Sequence, residues 1–326
     1  MKVLEPQSAA LVSRVRAMDP GEFLDHDDMG ALRTRMAGFL QACAPRPLPV
    51  GAVEKRRIQF QGRGVEVVIY NPPVDTTSTA GRPLALYFHG GGFTHFSAET
   101  HDPVARYLCN KSGAVIVNVD YRLAPENKFP AALEDAYDTL CWASANAHEL
   151  GADPTKISVV GESAGGTIAI VLCLMSRDRG GPAIARQVPM CASVDLSDLD
   201  RYDSWHAFGD GRYLLSRVDI DEIRRVYLNT PDEVTDPRVS PILATDLTGL
   251  PPALVIGAEC DPLVDEAALH ARRLQAAGVT VRYECFAGTI HSFMILAGVI
   301  DLGYAALDLV AGYVQCSNLH EHAQLS

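Results

Sequence analysis

Residues 157–166 read Ile-Ser-Val-Val-Gly-Glu-Ser-Ala-Gly-Gly, or ISVVGESAGG. An apolar run, Ile157 to Val160, stops at a glycine, and a helical pattern from Gly166 to Arg177 follows. Gly161-Glu162-Ser163-Ala164-Gly165 between them fits G-x-S-x-G in a strand–turn–helix context. Side chains two residues either side of a serine in so sharp a turn would collide, so both positions must be small. A glycine-rich turn with a helix-capping serine is the competing reading.

Short apolar or alternating runs recur on both sides of this turn. Arg57 to Phe60, Val65 to Tyr70, Leu84 to Phe88, Ala114 to Val119, Leu254 to Gly257 and Val281 to Phe286 read as strands. Thr100 to Ser112, Ala131 to His148 and Glu266 to Ala277 read as helices between them. Strands alternating with helices predict an α/β fold whose mostly parallel sheet is covered on both faces. Before the sheet, Ala9 to Met18 and Met29 to Ala42 have helical apolar spacing. From Leu199 to Thr235 the alternation breaks, and a helical Val218 to Leu228 lies inside an insertion.

Composition narrows the function. Among 326 residues, Lys and Arg number 28 against 40 Asp and Glu, giving a net charge of −12. No basic stripe is evident, so nucleic acid is not an expected partner. The cysteines are scattered with no C-x-x-C pair, which argues for buried thiols and a cytoplasmic location. No Asp, Glu and His cluster has metal-ligand spacing, and neither a metal nor any other cofactor is expected. No signal peptide and no membrane span are expected. A homodimer is left open.

A serine that attacks a carbonyl needs donors for the oxyanion. One is the amide after the serine, here Ala164, and others come from a loop after an earlier central strand. Leu84 to Phe88 runs straight into His89-Gly90-Gly91-Gly92-Phe93, whose glycines leave their amides uncovered. It lacks the spacing of a phosphate-binding loop.

These motifs, with Asp120-Tyr121-Arg122-Leu123-Ala124-Pro125-Glu126, Phe129 to Asp135, Asp261 to Glu266 and His291-Ser292-Phe293, occur in the order of a known family. Over residues 84–294 the chain resembles the hormone-sensitive-lipase-like α/β-hydrolase esterases. The resemblance implies an α/β-hydrolase fold with a helical cap. It implies oxyanion donors at Gly90 and Gly91 beside Ala164, and a structural His89. One departure is Glu162, where the family commonly has Asp or Thr; it is expected to be structural, paired with a donor the sequence does not name.

The nucleophile needs a base, and the base a carboxylate, in the chain order Ser, Asp or Glu, His. His291 follows the last strand, in a G-x-x-H-x-F setting with Gly288 and Phe293. Glu259, Asp261, Asp265 and Glu266 compete for the acid. Asp261 stands at the strand's C-terminal loop before Pro262, and the resemblance agrees on it; Asp265 is the fallback. Arg122 is expected to tie its long loop to the core through a carboxylate.

The expected organisation is an N-terminal helical cap segment, 1–46, a first core part, 47–198, a cap insertion, 199–235, and a second core part, 236–326. In this family the cap closes an apolar pocket, for which Phe23, Leu24, Met36, Phe208, Tyr213 and Leu214 are candidate lining residues. The resulting expectation is a serine carboxylesterase acting through an acyl-enzyme on a small-molecule ester, with short- to medium-chain acyl groups implied by the resemblance. An amidase or deacetylase with the same triad, and a non-catalytic receptor on a hydrolase scaffold, are the alternatives.

Overall fold

The computed structural model describes residues 2–17, 28–73 and 81–315. Eight strands form one sheet: β1 (Ala52–Phe60), β2 (Arg63–Asn71), β3 (Arg82–Phe88), β4 (Val115–Asp120), β5 (Ala152–Glu162), β6 (Arg186–Met190), β7 (Ala253–Ala258) and β8 (Val281–Phe286). Their order is β1-β2-β4-β3-β5-β6-β7-β8. β1 and β2 pair antiparallel, as do β2 and β4, and every other neighbour pair is parallel.

The central strands are apolar on both faces because both faces are covered. Leu84, Leu86 and Phe88 of β3 enter one core cluster, while Ala85 and Tyr87 enter the other. The first cluster is closed by α4 (Ala131–Ala145), α5 (Ala164–Asp178) and α8 (Val264–Ala276). The second is closed by α1 (Pro6–Arg16), α2 (Met29–Cys43), α3 (Asp102–Ser112) and α9 (Leu302–Gln315). Each fully buried Leu, Val or Phe side chain contributes roughly 1.5–3 kcal/mol, against about 1–2 kcal/mol to order each backbone residue.

Two elements lie outside the expected pattern. β6 carries Pro189, which donates no ladder hydrogen bond, and its pairing to β7 is recorded only at Gln187–Ala253 and Met190–Ile256. A proline in a five-residue run hides a central strand from a propensity reading. α9 has few charges and two internal glycines, so its helical signal is weak.

The 199–235 region contains α6 (Asp203–Phe208) and α7 (Arg217–Tyr227). A capping box starts α7, with the Ser216 side chain and the Asp219 carboxylate bonding reciprocally across its first turn. Trp205 of α6 is fully buried and donates from Nε1 to Glu266 of α8 at 2.7 Å. The Ser204 amide donates to Asp265 at 2.8 Å, and the Ser204 hydroxyl to the Pro262 carbonyl. These bonds fasten α6 to the start of α8 and the loop before it. Among the described residues no helix is long and apolar enough to cross a membrane.

Arg122 does what the sequence suggests. It donates to the fully buried Asp135 from its backbone amide and its guanidinium, and Arg63 approaches the same carboxylate at 2.8 Å.

Candidate active site

β5 delivers Ser163 to the C-terminal edge of the sheet, directly before α5. Its backbone sits at φ 53, ψ −122, a region that non-glycine residues occupy only under constraint. Ser163 makes no side-chain cap hydrogen bond to the helix it precedes. That removes the capping reading of this serine. Gly161 and Gly165 allow the turn by closeness: a Cβ on Gly161 would stand 2.2 Å from the Gly165 carbonyl oxygen. One on Gly165 would stand 2.0 Å from that of Phe88.

The Ser163 hydroxyl lies 2.9 Å from His291 Nε2, and His291 Nδ1 lies 2.8 Å from Asp261 Oδ2. An ionised carboxylate only accepts, so Nδ1 carries the imidazole proton and Nε2 is free to accept from Ser163. Asp261 is buried, and its other oxygen accepts from the Leu263 amide at 3.0 Å. The loops after β7 and β8 are laced together by the Cys260 amide donating to the Thr289 carbonyl at 2.9 Å. Asp265, the fallback acid, is turned towards the insertion instead, and Glu259 pairs with Lys2 at 2.6 Å. Burial pushes the His291 imidazole down. The Asp261 carboxylate beside it, with Glu162 and Asp219 further off, outweighs that and raises it above its ordinary value of 6.5.

The glycine loop differs from expectation at one position. The Gly90 amide donates to Glu162 Oε1, so it is not free to meet an oxyanion. Gly91 and Gly92 line the pocket instead, and their amides donate to no acceptor among the described residues. Gly91 sits at φ 97, and a Cβ there would strike the His95 carbonyl at 2.3 Å. The free amides are therefore those of Gly91, Gly92 and Ala164. The register slipped because the sequence has three consecutive glycines and no visible mark of which amide an outside carboxylate takes.

Glu162 is that carboxylate. Fully buried, it also meets His101 Nε2 at 3.2 Å and accepts from the Ser292 hydroxyl at 2.7 Å. Burial pushes its carboxyl up, but the bonds from His101 and Ser292 and the nearby His291 hold it below its ordinary value. His101 has no motif that marks it in sequence, and Ser292 stands in the His291-Ser292-Phe293 motif, which does not name its partner. His89 is buried and stacks on Tyr121 with ring centroids 4.3 Å apart. Burial, reinforced by repulsion from His101, pushes its imidazole down to about 3, so it stays neutral.

A cavity of about 140 Å³ opens at Ser163. Met36 and Leu214 line it, as expected; Phe208 and Tyr213 do not. The latter two pack edge to face on each other, 5.0 Å between centroids, within the insertion. Phe23 and Leu24 lie outside the described residues. Phe39, Leu215, Ile220 and Ile223, which the sequence reading did not single out, complete the apolar wall together with Ile295. The helical spacing of Ile220 and Ile223 was the signal available for them.

Cys191, Asp261 and His291 place potential metal ligand atoms within 4.8 Å of one another. Both imidazole nitrogens of that group are already engaged, by Asp261 and Ser163. The thiol stays protonated because burial and the Asp261 charge push it up.

Comparison with known proteins bears on the fold and the activity. The model of a family described as having the alpha/beta hydrolase fold matches residues 85–295. The chain is 35% identical to the carboxylic ester hydrolase LipN of Mycobacterium tuberculosis, covering 90% of this chain and 77% of that protein. It is 37% identical to carboxylesterase NlhH of the same species, over 86% and 87%. It superposes on a hyperthermophilic esterase from Pyrobaculum calidifontis with a TM-score of 0.87 and 37% identity, covering 96% of this chain and 98% of the other.

Proposed function

Since the chain belongs to the α/β-hydrolase family, in its hormone-sensitive-lipase-like branch, and is a carboxylic ester hydrolase, we propose that Ser163, His291 and Asp261 are its catalytic triad. The observation that carries this is the hydrogen-bond chain from the strained Ser163 through His291 to the buried Asp261. Ser163 Oγ attacks the ester carbonyl as His291 Nε2 takes its proton. Asp261 holds the proton on Nδ1 and steadies the imidazolium. Negative charge grows on the carbonyl oxygen, and the amides of Gly91, Gly92 and Ala164, the last at the first turn of α5, are placed to receive it. His291 passes its proton to the leaving alcohol. It then activates water to release the acid from Ser163.

The apolar lining of the cavity at Ser163 supports esters with hydrocarbon acyl groups. Short- to medium-chain acyl esters are the proposed substrates. Residues 1–46 and 199–235 are proposed as the cap over the 47–198 and 236–326 core. Scattered free thiols support a cytoplasmic location.

The test is hydrolysis of p-nitrophenyl esters from acetate to octanoate by wild type and Ser163→Ala. Wild type turns over the short members, and the variant loses nearly all activity. Unchanged activity in Ser163→Ala removes the proposed nucleophile. A matched pair of aryl acetate and acetanilide separates esterase from amidase turnover, and light scattering on the eluting protein reads whether it is a homodimer.

A further inference from the structure

Five residues of the pocket other than glycine sit at positive φ: Phe93, Phe96, Ser163, Leu214 and Ser292. Such strain persists where the surroundings impose it and gathers at functional sites. Ser163 has its reason in the turn. Phe96, at φ 70, is a bulky aromatic where the backbone favours glycine, and it has no hydrogen-bonding group to account for its place.

Its position gives it one. Phe96 lines the Ser163 cavity, beside Gly91 of the oxyanion loop. It also lines a second, far larger groove of about 1260 Å³ between α2 and the β1–β2 edge of the sheet. Among the described residues it is the one side chain common to both. Its half-buried ring leans edge-on against His95 and His101, with centroids 4.6 Å and 5.3 Å away. The lining of the groove includes the apolar Ala37, Val53, Val68 and Tyr70 among polar and charged side chains such as Arg33, Lys55 and Glu99.

We propose that Phe96 is a specificity-determining residue, a wall between the catalytic cavity and this groove that sets how long one arm of the ester can be. With the ring in place, a straight chain ends at the wall. With the ring removed, methylenes beyond that point run into the groove. This rests on the assignment of the Ser163 cavity as the place of ester hydrolysis.

Two substrate series decide it, p-nitrophenyl esters from acetate to dodecanoate and acetates of straight-chain alcohols from ethyl to dodecyl, below their micelle concentrations. The readout is the ratio of kcat/KM for the longest member to that of the C4 member in each series, not the absolute rate. Phe96→Gly suits the positive φ, and Phe96→Ala removes the same ring. Each newly buried methylene is worth about four-fold, so the ratio rises at least about ten-fold in one series for both variants. Phe96→Trp lowers it. If Phe96→Gly and Phe96→Ala do not fold by circular dichroism, Phe96→Leu, which shortens an apolar side chain without deleting it, carries the same comparison. Ratios within about two-fold of wild type in both series, with butyrate turnover still dependent on Ser163, overturn the wall and leave the triad standing. Persistence of activity in Ser163→Ala strikes instead at the triad.

Discussion

Replacing Gly161 by alanine adds one methyl group behind the nucleophile, and the structure sets its consequence. The new Cβ would lie 2.2 Å from the Gly165 carbonyl oxygen, 2.3 Å from its carbon and 2.9 Å from the Gly166 nitrogen. All three are backbone atoms of the first turn of α5, so no rotamer change relieves the contact. Carbon and oxygen settle at about 3.3 Å in close backbone contacts, so that turn must move by about 1.1 Å. Ser163 rides on it. Starting from 2.9 Å, the Ser163–His291 separation then approaches about 4 Å, beyond the roughly 3.2 Å reach of a hydrogen bond. A misplacement of about 1 Å lowers catalysis on the order of 100-fold. The same overpacking costs about 1–3 kcal/mol of stability, which a domain of this size tolerates. Gly161→Ala is thus a folded protein with kcat reduced about a hundredfold. Initial rates on p-nitrophenyl butyrate, with a thermal melt on the same sample, measure both. A variant that melts cooperatively and keeps kcat within about three-fold of wild type would refute the close-contact account of the turn.

Other outcomes follow from the same structure. With His291 as the proposed neutral base, its raised pKa places the acid limb of kcat/KM above pH 6.5, read from a pH–rate profile; Asp261→Asn removes the charge that raises it, shifts the limb to lower pH and lowers kcat by about 10⁴-fold. The sign for stability is opposite to that for activity. A raised histidine pKa favours folding fully below the unfolded value near 6.5, and that contribution fades as pH rises through the folded value, so Tm attributable to His291 declines over the interval in which activity climbs. Asp135→Ala leaves the partly exposed Arg122 and Arg63 without their shared buried partner and costs about 1–3 kcal/mol in urea unfolding. Gly312→Ala, in α9 with nothing within 4 Å of its added carbon, raises stability by about 0.5–1 kcal/mol in the same assay.

The serine turn was legible because its requirements are local. Two glycines flanking a serine after an apolar run state the geometry within five residues. Asp261 and His291 were legible through chain order, since each stands where a strand has just ended. What could not be read depended on contacts across the chain. Which amides of Gly90, Gly91 and Gly92 stay free is settled by Glu162, 72 residues from Gly90. β6 was hidden because Pro189 contradicts local strand propensity, while burial between β5 and β7 overrides it. Phe208 and Tyr213 resembled pocket residues by composition, yet an aromatic pair can satisfy itself, and this one does.

Glu162 also bears on how the site fails. Its carboxylate holds the glycine loop by Gly90, the residue that precedes α3 by His101, and the loop after β8 by Ser292. It adjoins Ser163 itself in sequence. With parts from distant stretches of chain fastened to one buried charge, the site has no separable piece that can loosen early. Loosening one part takes one of three partners from a carboxylate in the interior, which strains the others. Heat inactivation of this esterase is therefore expected to coincide with unfolding of the sheet, read by residual activity beside circular dichroism over one temperature ramp.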